Sequence, residues 1–335
     1  MKTKIKALIG AVCFTVIVCG TAVSAVAVKS HCDIKGNREK LDVTHFEKNN
    51  ESRDAIHFLS TASSDAIVLE SNGLYALIDC AEDSDNPRGF AELAYDGYED
   101  MVLEYLKANA SDKNGIVNLD FVLGTHSHSD HIGGFDTVIA DESVKIGRAY
   151  LKVYDEAQIR DYEIEKWDNK EVYEQMVNAL EEKNVPIISN IEEKSFSLGN
   201  FTITLLNTKD NNTEKVGEND NSLGVLIEKN GAKVFLAGDI DNFNGDEDRL
   251  APLIGKVDLL KVGHHSYSGS TTSDWLKTLN PDVCVVTNNY EQTDKRTLRR
   301  ITRVARSAIL VTGIENGIVA VIDDNGKISY YNNIH

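Results

Sequence analysis

The chain has 335 residues, 41% hydrophobic and 26% charged, an ordinary globular composition that suffices for one large domain or two small ones. Its 53 acidic and 35 basic side chains leave a net charge of −18. Such a surface repels phosphate backbones, which disfavours general nucleic-acid binding in the absence of a local basic site.

Residues 1–28 read as a targeting segment. Lys2, Lys4 and Lys6 form a basic start, Ala7 to Val28 carry no charge, and Ala22-Val23-Ser24-Ala25 and Ala25-Val26-Ala27 offer small residues to a signal peptidase. The uncharged run is also about as long as the roughly 20 residues that span a bilayer. It is therefore expected to be a signal peptide or an uncleaved N-terminal membrane anchor, and either places the working domain outside the cytoplasm. Residues 29–53 are polar and read as a tether. Cys13 and Cys19 belong to the leader, which leaves Cys32, Cys80 and Cys284, an odd number without metal-type spacing. Cys80 and Cys284 lie in apolar strand contexts as small hydrophobes, and no disulfide framework is implied.

Order is expected from near Ala55, with one catalytic domain over residues 54–335. Ala55–Leu59, Ala66–Leu69 and Leu74–Ile78 are short β-type runs, with Ser71-Asn72-Gly73 as a hairpin turn between the last two. Phe90, Leu93, Ala94, Met101, Tyr105 and Leu106 fit one face of a helix that ends near residue 109. A strand at Phe121–Leu123 runs into Thr125-His126-Ser127-His128-Ser129-Asp130-His131-Ile132-Gly133-Gly134. After a strand near Ala149-Tyr150-Leu151 comes a charged helical stretch over 155–184, then a hairpin from Phe196 to Leu206 that turns at Gly199-Asn200. Asn207 to Asn221 reads as a polar loop. Val225–Ile227 and Val234–Leu236 form a second hairpin around Asn230-Gly231, and the second strand ends in Ala237-Gly238-Asp239. A strand over Val257–Val262 ends in Gly263-His264-His265. A helix, the strand Val283–Val286, a basic helix from Lys295 to Arg306 and three strands complete the chain.

Five of the nine histidines sit in two short clusters, 126–131 and 264–265, which argues against a polar loop with scattered imidazoles. His126 and His128, two apart, can share one metal ion; Asp130 and His131 can hold a second nearby. Imidazole with carboxylate is the ligand set of zinc and its first-row neighbours. Asp239 and His264/His265 also follow apolar strands, so strands of one sheet can bring all three loops together. Asp79, closing the Leu77-Ile78 strand, is a fourth strand-end acid, expected to orient the histidine loop from behind rather than to ligate.

The HxHxDH run at 126–131, Gly238-Asp239, the later histidine and the early Asp79 resemble the metallo-β-lactamase superfamily over almost the whole domain. The resemblance implies an αββα sandwich with a two-metal site, zinc being the expected ion. One departure narrows it. Most members carry another ligating histidine between the HxHxDH loop and the Gly-Asp motif, whereas here Gly217-Glu218-Asn219-Asp220-Asn221-Ser222-Leu223 holds that place and no histidine lies between His131 and His264. This is the pattern of the branch that includes the extracytoplasmic domain of bacterial DNA-uptake channels and the phosphorylcholine esterase of pneumococcal cell walls. Ser64–Gly73, Trp167-Asp168-Asn169, Gly238–Asn242 and Pro252–Leu259 are similar to the esterase. Choline-binding repeats are absent, and Trp167 and Trp275 are the only tryptophans. Cys80-Ala81 stands where many members have Thr-Gly.

Carried over residue by residue, the resemblance implies that His126 and His128 hold one ion and that Asp130, His131 and His265 hold the other, with Asp239 bridging. His264 is left to contact a substrate phosphate beside Asp130, with Asn219 behind it. Two close ions can activate a shared water and neutralise phosphoryl oxygens, so a phosphodiester is the expected substrate, small or polymeric, in the cell envelope. Choline would need an aromatic face; Tyr150, Tyr154, Tyr162, Trp167 and Tyr173 lie in or near the insertion after the metal loop, with Trp167 the first candidate. Asp241 and Asp220 could add negative charge near a cationic group. The run Lys295, Arg296, Arg299, Arg300, Arg303 and Arg306 reads first as a solvated helix face. A nuclease of the DNA-uptake type and a non-catalytic binding module are the competing expectations.

Overall fold

The computed structural model describes residues 38–47, 52–192, 195–209 and 215–335. The expected leader and Cys32 lie outside them. No helix among the described residues is long and apolar enough to cross a membrane.

Two mixed sheets lie face to face. Among the described residues the first runs in the order Val43–His45, Ile328–Asn332, Ile318–Ile322, Asp54–Phe58, Ala66–Ser71, Leu74–Cys80, Val117–Leu123, Ala149–Tyr150 and Ile187–Ile188, with Val144–Ile146 also paired to Val117–Leu123. The second runs Ala308–Val311, Val283–Val286, Leu259–Lys261, Ala232–Leu236, Gly224–Lys229, Phe201–Leu206 and Ser195–Leu198. Strand after strand is apolar on both faces, as expected for sheets covered on both sides.

The three apolar clusters identify the layers. Ile56, Phe58, Ile78 and Phe121 of the first sheet meet Ile203, Val225, Val234 and Val285 of the second. Val68, Leu77 and Val122 on the outer face of the first sheet pack with Val102, Leu106, Val138, Val172 and Met176 of the helices Glu99–Asn109, Phe135–Ala140 and Asn169–Glu182. Phe235, Leu260 and Cys284 on the outer face of the second pack with Leu250, Trp275 and Leu298 of the helices Asp246–Ile254, Ser273–Leu279 and Lys295–Arg300. Helix, sheet, sheet, helix is the αββα sandwich expected from the sequence.

Local chemistry explains the turns. Asn72 and Gly73 take φ of 50° and 78°, and Asn230 and Gly231 take 49° and 91°. Two consecutive positive φ values make the tight hairpin turn that Asn-Gly favours.

Several elements differ from the sequence reading. Val43–His45, within the expected tether, pairs in parallel with Ile328–Asn332, and Arg38 Nε lies 2.6 Å from Glu315 Oε1. An edge strand needs only backbone partners, so Val-Thr-His carries no apolar alternation to signal it. The helix expected from Phe90 begins only at Glu99; residues before it form a 3₁₀ turn at Ala91–Leu93. The side chain of Glu99 accepts from Ser84 N and Oγ (3.1 and 2.6 Å) and ties the loop to the helix start, an arrangement that side-chain periodicity cannot reveal. The charged stretch over 155–184 divides into Asp161–Lys166 and Asn169–Glu182, broken at Trp167-Asp168. The basic helix passes after Arg300 into a π-helical turn, Ile301–Ala305, closed by Arg306 at φ 59°.

At the sheet edge away from the histidine loops, Lys229 Nζ bonds Asp54 Oδ2 (2.6 Å) and Ile322 O (2.9 Å) and so joins the two sheets. Both side chains are buried. Removing one partner of such a pair leaves an uncompensated charge. Lys229→Met is expected to lower unfolding free energy by roughly 3–5 kcal/mol in chemical denaturation.

Candidate metal centre

Asp79 organises the histidine loop. It closes the strand Leu74–Cys80 at φ 55°. Its Oδ1 accepts from Thr125 N (2.7 Å), and its Oδ2 accepts from Thr125 Oγ1 (2.8 Å) and pairs with His131 Nδ1 (2.7 Å). Burial raises its pKa, partly offset by His131. The carboxylate thus fixes both the start of the loop and the face His131 presents. The next positive φ, 61° at Ala81, falls where many relatives by resemblance have glycine.

Three loops converge at one edge of the sandwich. His126 Nε2 and His128 Nδ1 face each other at 3.0 Å. His131 Nε2 and His265 Nε2 face each other at 3.1 Å. Asp239 Oδ1 lies 3.1 Å from His131 Nε2 and 3.4 Å from His265 Nε2 and has no hydrogen-bond partner. Asp130 Oδ2 lies 3.4 Å from His265 Nε2. Three groups of potential ligand atoms result: His126/His128/Asp239 and Asp130/His131/His265/Asp239, with Asp239 common to both, and Asp65/Asp79/His131 behind them, where Asp79 is already engaged by His131 Nδ1 and Thr125. Lone pairs brought together in the interior with an orphaned carboxylate oxygen are what a divalent ion would satisfy. The donor set fits divalent ions, and the structure brings together the side chains that the resemblance groups.

The second nitrogen is hydrogen-bonded in three of the four rings, and in His128 it has only a more distant carboxylate. His126 Nδ1 faces Ser222 Oγ (3.2 Å), His131 Nδ1 faces Asp79, and His265 Nδ1 faces Thr287 O (3.1 Å). His128 Nε2 lies 3.5 Å from Glu163 Oε2. Such partners select the tautomer whose free nitrogen points at the ion.

The loop carrying His265 is strained. His264, His265 and Ser266 have φ of 48°, 47° and 69°. Non-glycine residues there cost on the order of 1–3 kcal/mol each and persist only where surroundings dictate them. Here His264 N donates to Gly238 O (3.2 Å), Asn288 Nδ2 to His265 O (3.0 Å) and Ser270 Oγ to Gly263 O (2.7 Å).

Beneath the cluster lies Lys261, fully buried, whose Nζ pairs with Asp65 Oδ2, donates to Gly238 O (2.9 Å) and lies 3.8 Å from Asp239 Oδ1. Burial opposes the ammonium, but Asp65 and Asp239 raise its pKa above the ordinary value. The same balance governs the cluster. Burial opposes charge on His131, yet Asp239, Asp79 and Asp130 hold it well above the usual imidazole range. Burial together with His131 and His128 drives His126 well below it. Burial works against ionised Asp239 and Asp130 too, but the imidazoles bring Asp239 well below its usual value and Asp130 to about 2.

His264 stands at the lip, its side chain 26% exposed, with Nε2 3.9 Å from Asp239 Oδ2 and 3.3 Å from Asn219 Nδ2. Trp167 stacks on His128 (5.4 Å, 28°) and lines a cavity of about 350 Å³ with Asp130, Glu82, Tyr95, Tyr98 and Tyr267.

Other expected contacts lie elsewhere. Tyr154 packs near Tyr173 (6.1 Å) and does not line this cavity. Tyr150 stacks on Phe196 and Tyr162 is exposed. Asp241 is 3% exposed, and its Oδ1 accepts from Phe243 N (2.9 Å); it shapes its own loop. Asp220, equally buried, accepts from Gly217 N (3.2 Å). Short polar side chains after strand ends bind local backbone as readily as ligands. Asp65, Lys261, Glu163, Ser222 and Tyr267 join the site only through the tertiary structure. Lys261 alone carried a signal, a lysine inside an apolar strand just before Gly263-His264-His265.

The profile of the beta-lactamase superfamily domain matches residues 77–280. The chain belongs to the metallo-β-lactamase superfamily. It is 24% identical over 238 residues to ComE operon protein 3 of Bacillus subtilis, a match that covers 69% of this chain and 26% of that protein. This chain thus spans about a quarter of that relative. It is 26% identical over 187 residues to a UPF0173 metal-dependent hydrolase of Pyrococcus furiosus, covering 54% of this chain and 72% of the other. Among solved structures, the metallo-beta-lactamase fold protein YhfI from Bacillus subtilis is 13% identical with a TM-score of 0.48, covering 83% of this chain and 99% of that one.

Metal-free protein titrated with zinc provides the check. His126→Ala and His265→Ala should each bind one ion fewer than wild type by metal analysis, and Asp239→Ala should weaken both. Unchanged uptake by Asp239→Ala would show that no carboxylate is shared. Dialysis against a weak chelator should empty the His126/His128 set first, because it has fewer protein ligands.

Proposed function

We propose that this member of the superfamily is an extracytoplasmic phosphodiesterase resembling phosphorylcholine esterase, acting on cell-envelope polymers or small esters that carry a cationic group. The observation that carries the substrate class is the cavity beside Asp130. Tyr95, Tyr98, Trp167 and Tyr267 line it together with Glu82, Asp96 and Asp130, and among the described residues no lysine or arginine does. Burial, with Asp130 beside it, pushes Glu82 up to about 9, so this acid is neutral near pH 7. The cavity's attraction for a quaternary ammonium rests on its aromatic side chains and its other acids; an anion entering such a cavity would find its favourable charge only at the metal centre. The basic start and uncharged run of residues 1–28 support a location outside the cytoplasm.

Two divalent ions, zinc being the expected pair, would supply a water of lowered pKa and neutralise charge on the phosphoryl oxygens. The chain's own residues do the rest. Asp239 belongs to both ligand sets, so it registers one against the other. Asp130 reaches from its set to the cavity wall and thereby places the reacting ester next to the aromatic pocket. His264 stands free of both sets, steadied by Asn219 and by Tyr267 edge-on at 5.4 Å. It is the imidazole available to hydrogen-bond a phosphoryl oxygen or to hand a proton to the departing alkoxide.

A nuclease of the DNA-uptake type is the second reading, from the sequence resemblance. The cavity lining counts against it, and the basic helix is partly engaged internally: Arg300 Nη1 donates to Ser270 O (3.1 Å) and Thr271 O (2.7 Å), and Lys295 Nζ to Thr293 Oγ1 (2.8 Å). A binding module without catalysis is the third.

Zinc-loaded protein assayed on p-nitrophenylphosphorylcholine, bis-p-nitrophenyl phosphate and single-stranded DNA separates the three. The choline ester should be turned over best. Cleavage of DNA without cleavage of the choline ester would overturn the proposal, and bound metal with no turnover of any substrate would favour a binding role. Trp167→Ala should raise KM for the choline ester roughly 30-fold, the scale of a desolvated cation–π contact of about 2 kcal/mol, with Trp167→Phe closer to wild type.

A further inference from the structure

We propose that Glu163, on the helix Asp161–Lys166 of the insertion, is the positioning residue for the ion site formed by His126 and His128. The inference rests on the reading that this cluster holds metal. Nδ1 of His128 faces Nε2 of His126 at 3.0 Å, so its Nε2 turns outward. That outward nitrogen is buried without a hydrogen-bond partner of good geometry, and Glu163 Oε2 lies 3.5 Å away. In the other three imidazoles the outward nitrogen is held by the two sheets and the loops at their edge, through Ser222, Asp79 and Thr287. His128 alone depends on the insertion.

The helix is built to hold that contact. Glu163 Oε2 also accepts from Glu218 N at 3.0 Å, on the segment that stands where most family members carry another histidine. Arg88 Nη1 donates to Ile164 O at 2.9 Å and to Trp167 O, which clamps the end of the helix to the loop after Cys80. Arg160 N donates to Val216 O, and Val216 N donates to Gln158 O, both at 2.9 Å, fixing its beginning. Trp167, one residue past the helix, lies against the face of the imidazole that Glu163 approaches at its edge. One short helix therefore grips His128 from two directions and also forms a wall of the cavity.

The ligand set on this side contains three residues against four on the other, so orientation of His128 matters more to its affinity. Outer partners of metal-binding histidines typically contribute 10–100-fold in affinity. Zinc binding to the metal-free full chain, measured by competition with a chromophoric chelator, tests the role. Glu163→Ala should weaken the ion bound at His126/His128 by roughly 10–100-fold and leave the other unchanged. Glu163→Gln, which keeps an oxygen acceptor, should recover part of the loss. Glu165→Gln, whose carboxylate is 73% exposed on the same helix, should bind as wild type. Thermal unfolding of the metal-free variants separates a local effect from a folding defect, with matching Tm values expected. The number of ions taken up by wild type tests the two-ion reading; the difference between Glu163→Ala and wild type tests Glu163 whatever that number is. Coincident titration curves for Glu163→Ala and wild type would overturn the inference, as would equal weakening by Glu165→Gln.

Discussion

A buried carboxylate beneath a loop of imidazoles is the constraint on which the rest of this structure turns. Asp79 satisfies Thr125 N, Thr125 Oγ1 and His131 Nδ1 together, and none of the four groups has water as an alternative. Breaking any of these contacts would leave a buried polar group unpaired, at a cost of about 1–3 kcal/mol or more for a charged one. The loop from Thr125 to His131 therefore has little freedom, and the contacts of Asp79 fix how it is aimed. Since Asp79 ends one strand and Thr125 follows its neighbour, the aim is set by the pairing of Leu74–Cys80 with Val117–Leu123.

Charge sets the second constraint. Asp65, Asp79 and Asp239 are buried with His126, His131 and His265 around a single buried ammonium, Lys261. Carboxylates at such density are tolerable in a poorly polarisable interior only when paired. Lys261 meets Asp65 and the Gly238 carbonyl from below and leaves one oxygen of Asp239 without a hydrogen bond. The two sides of the centre are not equivalent. His126, His131 and His265 are braced by the sheets and their edge loops, whereas His128 leans on a helical insertion whose end also forms the cavity wall. Variation in that insertion could alter substrate choice and metal affinity together without touching the sandwich.

The parts of the site that were legible in sequence share a physical property. His126, His128, Asp130, His131, Asp239 and His265 all follow apolar strands, and a strand end is one of the few places where sequence position predicts spatial position. The two Asn-Gly hairpins were legible because positive φ restricts the residue types. Tyr154, Asp241 and Asp220 face their own loops or neighbours and not a substrate as their types suggest, since a residue's type does not tell which way a loop turns it. Glu163 lay among the charges of Asp161–Lys166 with nothing to set it apart from Glu165. The strand Val43–His45 lay within an apparent tether because backbone pairing at an edge needs no side-chain pattern.

The sequence determined the metal-type side chains through the HxHxDH spacing, a local property, and the fold class through the resemblance those motifs carry. Tertiary structure alone decided which nitrogen of each ring faces the centre, which partner holds the other nitrogen, and that Lys261 lies beneath Asp239. It also decided that Tyr95, Tyr98, Trp167 and Tyr267, from three separate segments, share one cavity with Asp130. These are distances between residues far apart in the chain, set by sheet pairing and layer packing, and no local pattern encodes them.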